Sequence, residues 1–139
     1  MIQWTPALSV GVDTIDEQHR ELIDRIHALV KSIRESQCRN TIAGMIEFLQ
    51  EYVIYHFREE QEYMQAKGYP ELEAHIRQHE EFLASIANLR ADLNRLMTEG
   101  GSSYELSVTT NQVVVEWVMA HIANVDRKFG EYLASTRNA

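Results

Sequence analysis

Apolar residues recur along almost the whole chain at steps of three and four, and no segment alternates as a strand would. Ile15, Leu22, Ile26, Leu29 and Ile33 predict a helix over about 14–36, which Asp13 or Thr14 can cap. The polar interval Ser36-Gln37-Cys38-Arg39-Asn40-Thr41 ends it. Ile42, Met45, Leu49, Tyr52 and Met64 then mark a second helix over about 41–67. Gly68-Tyr69-Pro70 breaks that rhythm, and Pro70 suits the first turn of a third helix, about 70–99, striped by Leu72, Phe82, Ile86, Leu89, Leu93 and Leu96. Beyond Gly100-Gly101-Ser102-Ser103, a fourth helix over about 104–133 carries Leu106, Val114, Trp117, Val118, Val125 and Phe129. Residues 1–13 form an N-terminal arm. Helices this long, joined by short connections, pack antiparallel against their sequence neighbours. The expectation is an all-α, up-down-up-down four-helix bundle in a single domain spanning 1–139.

Each stripe is interrupted by groups that a core should exclude. The first-helix series 15, 19, 22, 26 has His19 where an aliphatic residue belongs, and the second, 49, 52, 56, 60, 63, includes His56 and Glu60. The third includes His75 and His79, and the fourth includes His121. His27 lies on a flank and reads as an ordinary histidine. A rise of ~1.5 Å per helical residue fixes the heights. His19 stands roughly 26 Å above the first connection and His56 roughly 24 Å above it; His79 and His121 stand ~30 Å and ~26 Å from the third. Glu60 and His75 are each one to two turns from the Gly68-Tyr69-Pro70 turn. All four helices therefore deliver imidazoles to one layer, toward that end of the bundle.

Taken singly, these signals are weak. A lone inward histidine is usually a satisfied core residue, Phe57 and Trp117 are most simply core aromatics, and Glu59 competes with Glu60 for the inward position, which the stripe assigns to Glu60. Convergence changes the balance. Five buried imidazoles with carboxylates, left without partners, would cost about 1 to 3 kcal/mol per polar group. Divalent metal removes that cost, because neutral imidazole is a common ligand and HxxxH or HxxxE puts two ligands on one helical face. The donors outnumber the needs of one tetrahedral ion, so two metals sharing carboxylates account for them better. Asp126 is ambiguous. It lies five residues after His121, about 140° around an ideal helix. Either it reaches in from the rim, or the helix widens locally into a π-type turn, or it is a surface residue.

Composition narrows the classes. Apolar residues at 45% and charged residues at 24% describe a globular chain. A formal charge of −8 opposes non-specific binding to nucleic acid or anionic membrane. No apolar run approaches the ~20 residues of a membrane span and no signal peptide is visible, so a cytoplasmic location is expected. Cys38, the single cysteine, rules out an internal disulfide and a thiolate cluster. Nitrogen and oxygen must hold any metal.

The segments IDEQHREL, HFREEQEYM, GYPELEAHIRQHEEF and WVMAHIANVD resemble, in order and spacing, those of the hemerythrin family, most closely its single-domain bacterial forms. The resemblance covers nearly the whole chain, and its HxxxxD element implies that Asp126 is a ligand. It further implies a non-heme di-iron site: His75, His79 and His121 on one iron, His19 and His56 on the other, and Glu60, Asp126 and an oxo or hydroxo group as bridges. Dioxygen would bind reversibly at the iron with two histidines, for storage, transport or sensing, with a separate protein partner conceivable and catalysis not expected. A di-iron oxidase or peroxidase is the alternative reading. By position, Leu22, Phe57, Trp117, Val118 and Ile122 would line an apolar dioxygen pocket that excludes water and protons. Two positions depart from the family's habit, which places leucine at Val118 and tyrosine at Phe129. The smaller Val118 is expected to widen the pocket.

Overall fold

The computed structural model describes residues 3–35, 38–99 and 103–137. Four helices account for most of them: α1 (Asp13–Arg34), α2 (Arg39–Ala66), α3 (Leu72–Glu99) and α4 (residues 103–137). Each packs on its sequence neighbours and α4 closes on α1, which makes the four-helix bundle that the periodicity predicts. No strand occurs among the described residues, and no described helix is long and apolar enough to cross a membrane. The breaks expected at Ser36-Gln37 and Gly100-Gly101-Ser102 and the side chain of Leu96 lie outside the described residues.

Local chemistry sets the ends. At the end of α2, Gly68 adopts φ 65°, its N–H donates to Gln65 O, and the Tyr69 N–H reaches back to Met64 O at 3.0 Å. This left-handed closure satisfies the last carbonyls, and Tyr69 and Met64 share one apolar cluster, as often accompanies such closures. Pro70 stands in the resulting turn, not in the first turn of α3, because the Leu72 N–H bonds to Tyr69 O and delays the helix. The start of α1 also differs from expectation. Neither Asp13 nor Thr14 caps it; Val12 holds the cap position without a side-chain bond. Asp16, inside the first turn, instead accepts from the Val10 N–H at 2.9 Å and from the Ser9 hydroxyl. Its carboxylate thereby straps the arm to the bundle. The arm then crosses α4 so closely that Gly130 is required: a Cβ there would lie 2.8 Å from Val10 O and 2.9 Å from Val10 Cα.

The apolar interior is divided. A large cluster fills most of the bundle and includes Leu22, Phe57, Phe82 and Ile122, while a smaller one at the arm end gathers Val10, Ile15, Met64, Tyr69, Phe129 and Leu133. On each helix a polar interruption falls between the two: His19 between Ile15 and Leu22, Glu60 between Phe57 and Met64, His75 and His79 before Phe82, and Asp126 between Ile122 and Phe129, with His56 and His121 at the edge of the large cluster. The two clusters seal a polar layer from both sides.

Candidate metal centre

All seven side chains expected in that layer are present in it and buried, from 0% exposed for His19 and Glu60 to 5% for His121. Of the adjacent glutamates, Glu60 is buried in the layer and Glu59 is only half-buried. His27 is half-buried at the far end of α1 and takes no part.

Asp126 joins the layer through the backbone. Residues His121–Asp126 form π-helical turns inside α4, with helical dihedrals preserved at Ala120 and Arg127. In such a turn the hydrogen bonds run from i to i+5, so the residue five ahead comes back over the first. His121 Nε2 consequently lies 3.2 Å from Asp126 Oδ1. Of the readings that the spacing left open, local widening is the one the backbone adopts. A second π stretch, Asn111–Glu116, turns the consecutive Val114 and Val115 both inward.

The two carboxylates sort the imidazoles. Glu60 Oε1 lies 2.7 Å from His75 Nε2 and 3.3 Å from His79 Nε2, while Glu60 Oε2 lies 3.5 Å from His19 Nε2 and 3.3 Å from His56 Nε2. Asp126 divides likewise: Oδ1 faces His75 at 3.0 Å and His121, and Oδ2 faces His19 at 3.1 Å. Two donor groups result, each within 4.8 Å: His75, His79 and His121 with both carboxylates, and His19 and His56 with both carboxylates. Each carboxylate offers one oxygen to each group, which is the arrangement a bridge needs.

The outer nitrogens settle which ring atom faces inward. His56 Nδ1 bonds Gln18 Oε1 at 2.7 Å, His79 Nδ1 bonds Gln61 Oε1 at 2.7 Å, and His121 Nδ1 bonds Gln78 Oε1 at 3.1 Å. A glutamine carbonyl only accepts, so each imidazole carries its proton on Nδ1 and turns an Nε2 lone pair into the layer. The sequence reading missed these glutamines. Their one signal is that each adjoins a ligand in sequence, but each serves a histidine on a different helix. Aromatic faces fix the rings further: Phe57 stacks on His79 at 3.7 Å between centroids, Trp117 on His121 at 4.4 Å, and Phe82 on Trp117 at 4.2 Å. Both aromatics expected in the pocket therefore back the three-histidine group. Leu22, Val118 and Ile122 are buried in the large apolar cluster next to the layer.

The residues fit two cations. Among protein groups alone, the Nε2 atoms of His19, His79 and His121, the Glu60 Oε2 and both Asp126 oxygens find no hydrogen-bond partner although buried. Such orphans are rare in native interiors, and here they converge. Charge points the same way. Burial favours the neutral Glu60, yet the imidazoles that face it, His19, His56, His75 and His79, hold its carboxyl well below the ordinary range. Burial and the Glu60 charge likewise oppose ionisation of Asp126, but His121 and His19 outweigh them and its carboxyl is also depressed. Burial would lower His19, but Asp126 and Glu60 push it up to about 10; the same opposition brings His75 to about 9. His79 goes the other way, to about 4, chiefly through burial, with the charges of His75 and His121 adding to it. A buried layer with two ionised carboxylates favours positive charge, and mixed nitrogen and oxygen donors suit divalent first-row metals, iron among them.

Fold and donor set define a helical-bundle protein built to hold cations between its helices. Residues 10–133 match the family described as Hemerythrin HHE cation binding domain, and the chain belongs to it. The bacteriohemerythrin of Methylococcus capsulatus is 29% identical over 136 residues, covering 97% of this chain and 98% of that protein. That of Stenotrophomonas maltophilia is 28% identical over 138 residues, covering 99% and 85%. The myohemerythrin of Theromyzon tessulatum is 24% identical over 127 residues, covering 91% and 89%. A crystal structure of wild-type hemerythrin superposes with a TM-score of 0.79 at 26% identity, covering 94% of this chain and 96% of that one.

Proposed function

We propose that the chain binds dioxygen reversibly at a di-iron centre. His75, His79 and His121 would hold one iron and His19 and His56 the other, with Glu60 and Asp126 offering an oxygen to each. The observation that carries this reading is the unequal sorting of imidazoles by the carboxylate oxygens, three against two. A half with only two histidines has fewer protein donors and would leave a position for an exogenous ligand. Iron held there would supply the two electrons that reversible dioxygen binding requires.

The chain's own contribution is orientation and exclusion. Gln18, Gln61 and Gln78 keep His56, His79 and His121 in the tautomer whose Nε2 lone pair points inward. Leu22, Val118 and Ile122, at 3%, 1% and 1% exposure, keep the interior next to the layer apolar, while Phe57 and Trp117 wall the three-histidine half. Water exclusion suppresses the proton delivery that would make oxidation irreversible.

The test is metal content per chain, followed by dioxygen titration of the anaerobically reduced protein under visible spectroscopy. Two irons per chain and a colour change that reverses on cycling between dioxygen and argon are the expected results. Turnover that depends on an added reducing substrate would support an oxidase or peroxidase instead. Protein grown with ample iron that holds no metal would overturn the assignment.

A further inference from the structure

Three of the five inward histidines hand their outer nitrogen to a glutamine, but His19 and His75 do not: in each, Nδ1 is buried and has no partner among the described groups. The Nε2 of His75 faces Glu60 and Asp126, so Nδ1 lies on the opposite edge. The same ring lines a cavity of about 60 Å³ together with Tyr69, Glu71, Ala74, Gln78, Val125 and Lys128. We infer that this cavity is a water site, and that the water holds the Nδ1–H of His75 and connects it to solvent.

Size and chemistry agree. A single water needs roughly 10 to 15 Å³ and two to four polar partners, and the cavity exceeds that volume. Gln78 gives its Oε1 to His121, which leaves its amide N–H groups to donate into the cavity. A water there accepts from Gln78 and from His75 Nδ1–H, and donates to the Glu71 carboxylate at the mouth. Gln78 then ties His75 and His121 into one network. The inference rests on the proposed metal centre only for the tautomer of His75. The imidazole protons of His56, His79 and His121 lie behind amides and His19 does not line this cavity, so His75 becomes the ligand whose proton trades most readily with bulk water.

The experiment is exchange of imidazole N–H protons into deuterium oxide, followed by NMR on the metal-loaded protein, together with a high-resolution crystal structure. We expect the His75 N–H to exchange at least tenfold faster than those of His56, His79 and His121, and water density within hydrogen-bond distance of His75 Nδ1. Val125→Leu and Ala74→Leu, which fill the cavity from α4 and from α3, should slow that exchange alone. Exchange of His75 as slow as its neighbours, or direct contact of Nδ1 with a side chain in the crystal, overturns the inference. Failure to load metal would sink the proposed function while leaving the crystallographic water to be seen.

Discussion

Gln61→Leu separates the role of the glutamines from that of the ligands. The substitution keeps the side-chain volume and deletes the carbonyl that accepts from His79 Nδ1 at 2.7 Å. In metal-free protein the imidazole has an escape, because it can move its proton to Nε2 and donate toward Glu60 Oε1, 3.3 Å away. A cation at Nε2 closes that route and obliges Nδ1 to carry the proton without a partner. The penalty thus falls on the loaded state. An unsatisfied N–H costs about 1 to 3 kcal/mol, and Gln61 is half-buried, so water recovers part of it. The lower part of the range, about 1 to 2 kcal/mol, corresponds to roughly a 5- to 30-fold loss of iron affinity. Competition against a chelator measures that loss, and thermal unfolding of the metal-free variant supplies the control, with little change expected. Unaltered iron affinity, or a metal-free protein destabilised by the same amount, would refute the reasoning.

Val118→Leu, which restores the family's usual bulk beside the proposed pocket, should slow autoxidation; decay of the visible band at an unchanged or higher rate would count against placing Val118 in the lining. Gly130→Ala forces a methyl against the Val10 backbone at 2.8 Å and should cost about 1 to 3 kcal/mol, read from the denaturant midpoint; equal stability would mean that the arm does not pack there. His19 and His75, raised from 6.5 to about 10 and about 9, contribute stability to the metal-free protein that is complete below pH 6.5 and is lost as pH rises through 9 to 10. His79, lowered from 6.5 to about 4, contributes stability present above 6.5 and lost toward pH 4. The metal-free protein should therefore melt highest near pH 6.5 and the loaded protein should lack the alkaline decline, whereas a flat metal-free profile from 6.5 to 10 would contradict these assignments.

The heights of the imidazoles were calculable from the chain alone because helical rise is nearly invariant. Counting residues from each connection brought His19, His56, His79 and His121 to one layer, and the apolar rhythm around them required a bundle. Glu60 was legible for the same reason, since it falls on a stripe that Glu59 misses. The arm was less legible: Asp13 and Thr14 looked like caps, yet Asp16 does the tethering, because its partners at Ser9 and Val10 come within reach only after the arm folds back.

What the tertiary structure alone decided is how the donors are shared. Whether five residues make 140° or a full turn depends on the hydrogen-bond register within α4, and side-chain periodicity does not encode it; the π turns at His121–Asp126 supplied the answer for Asp126. The partners of Gln18, Gln61 and Gln78, and the division of each carboxylate between two groups of imidazoles, depend on the rotation of neighbouring helices about their axes. A sequence specifies which face a residue occupies, but contacts of 2.7 to 3.5 Å are set only when four such faces pack against one another.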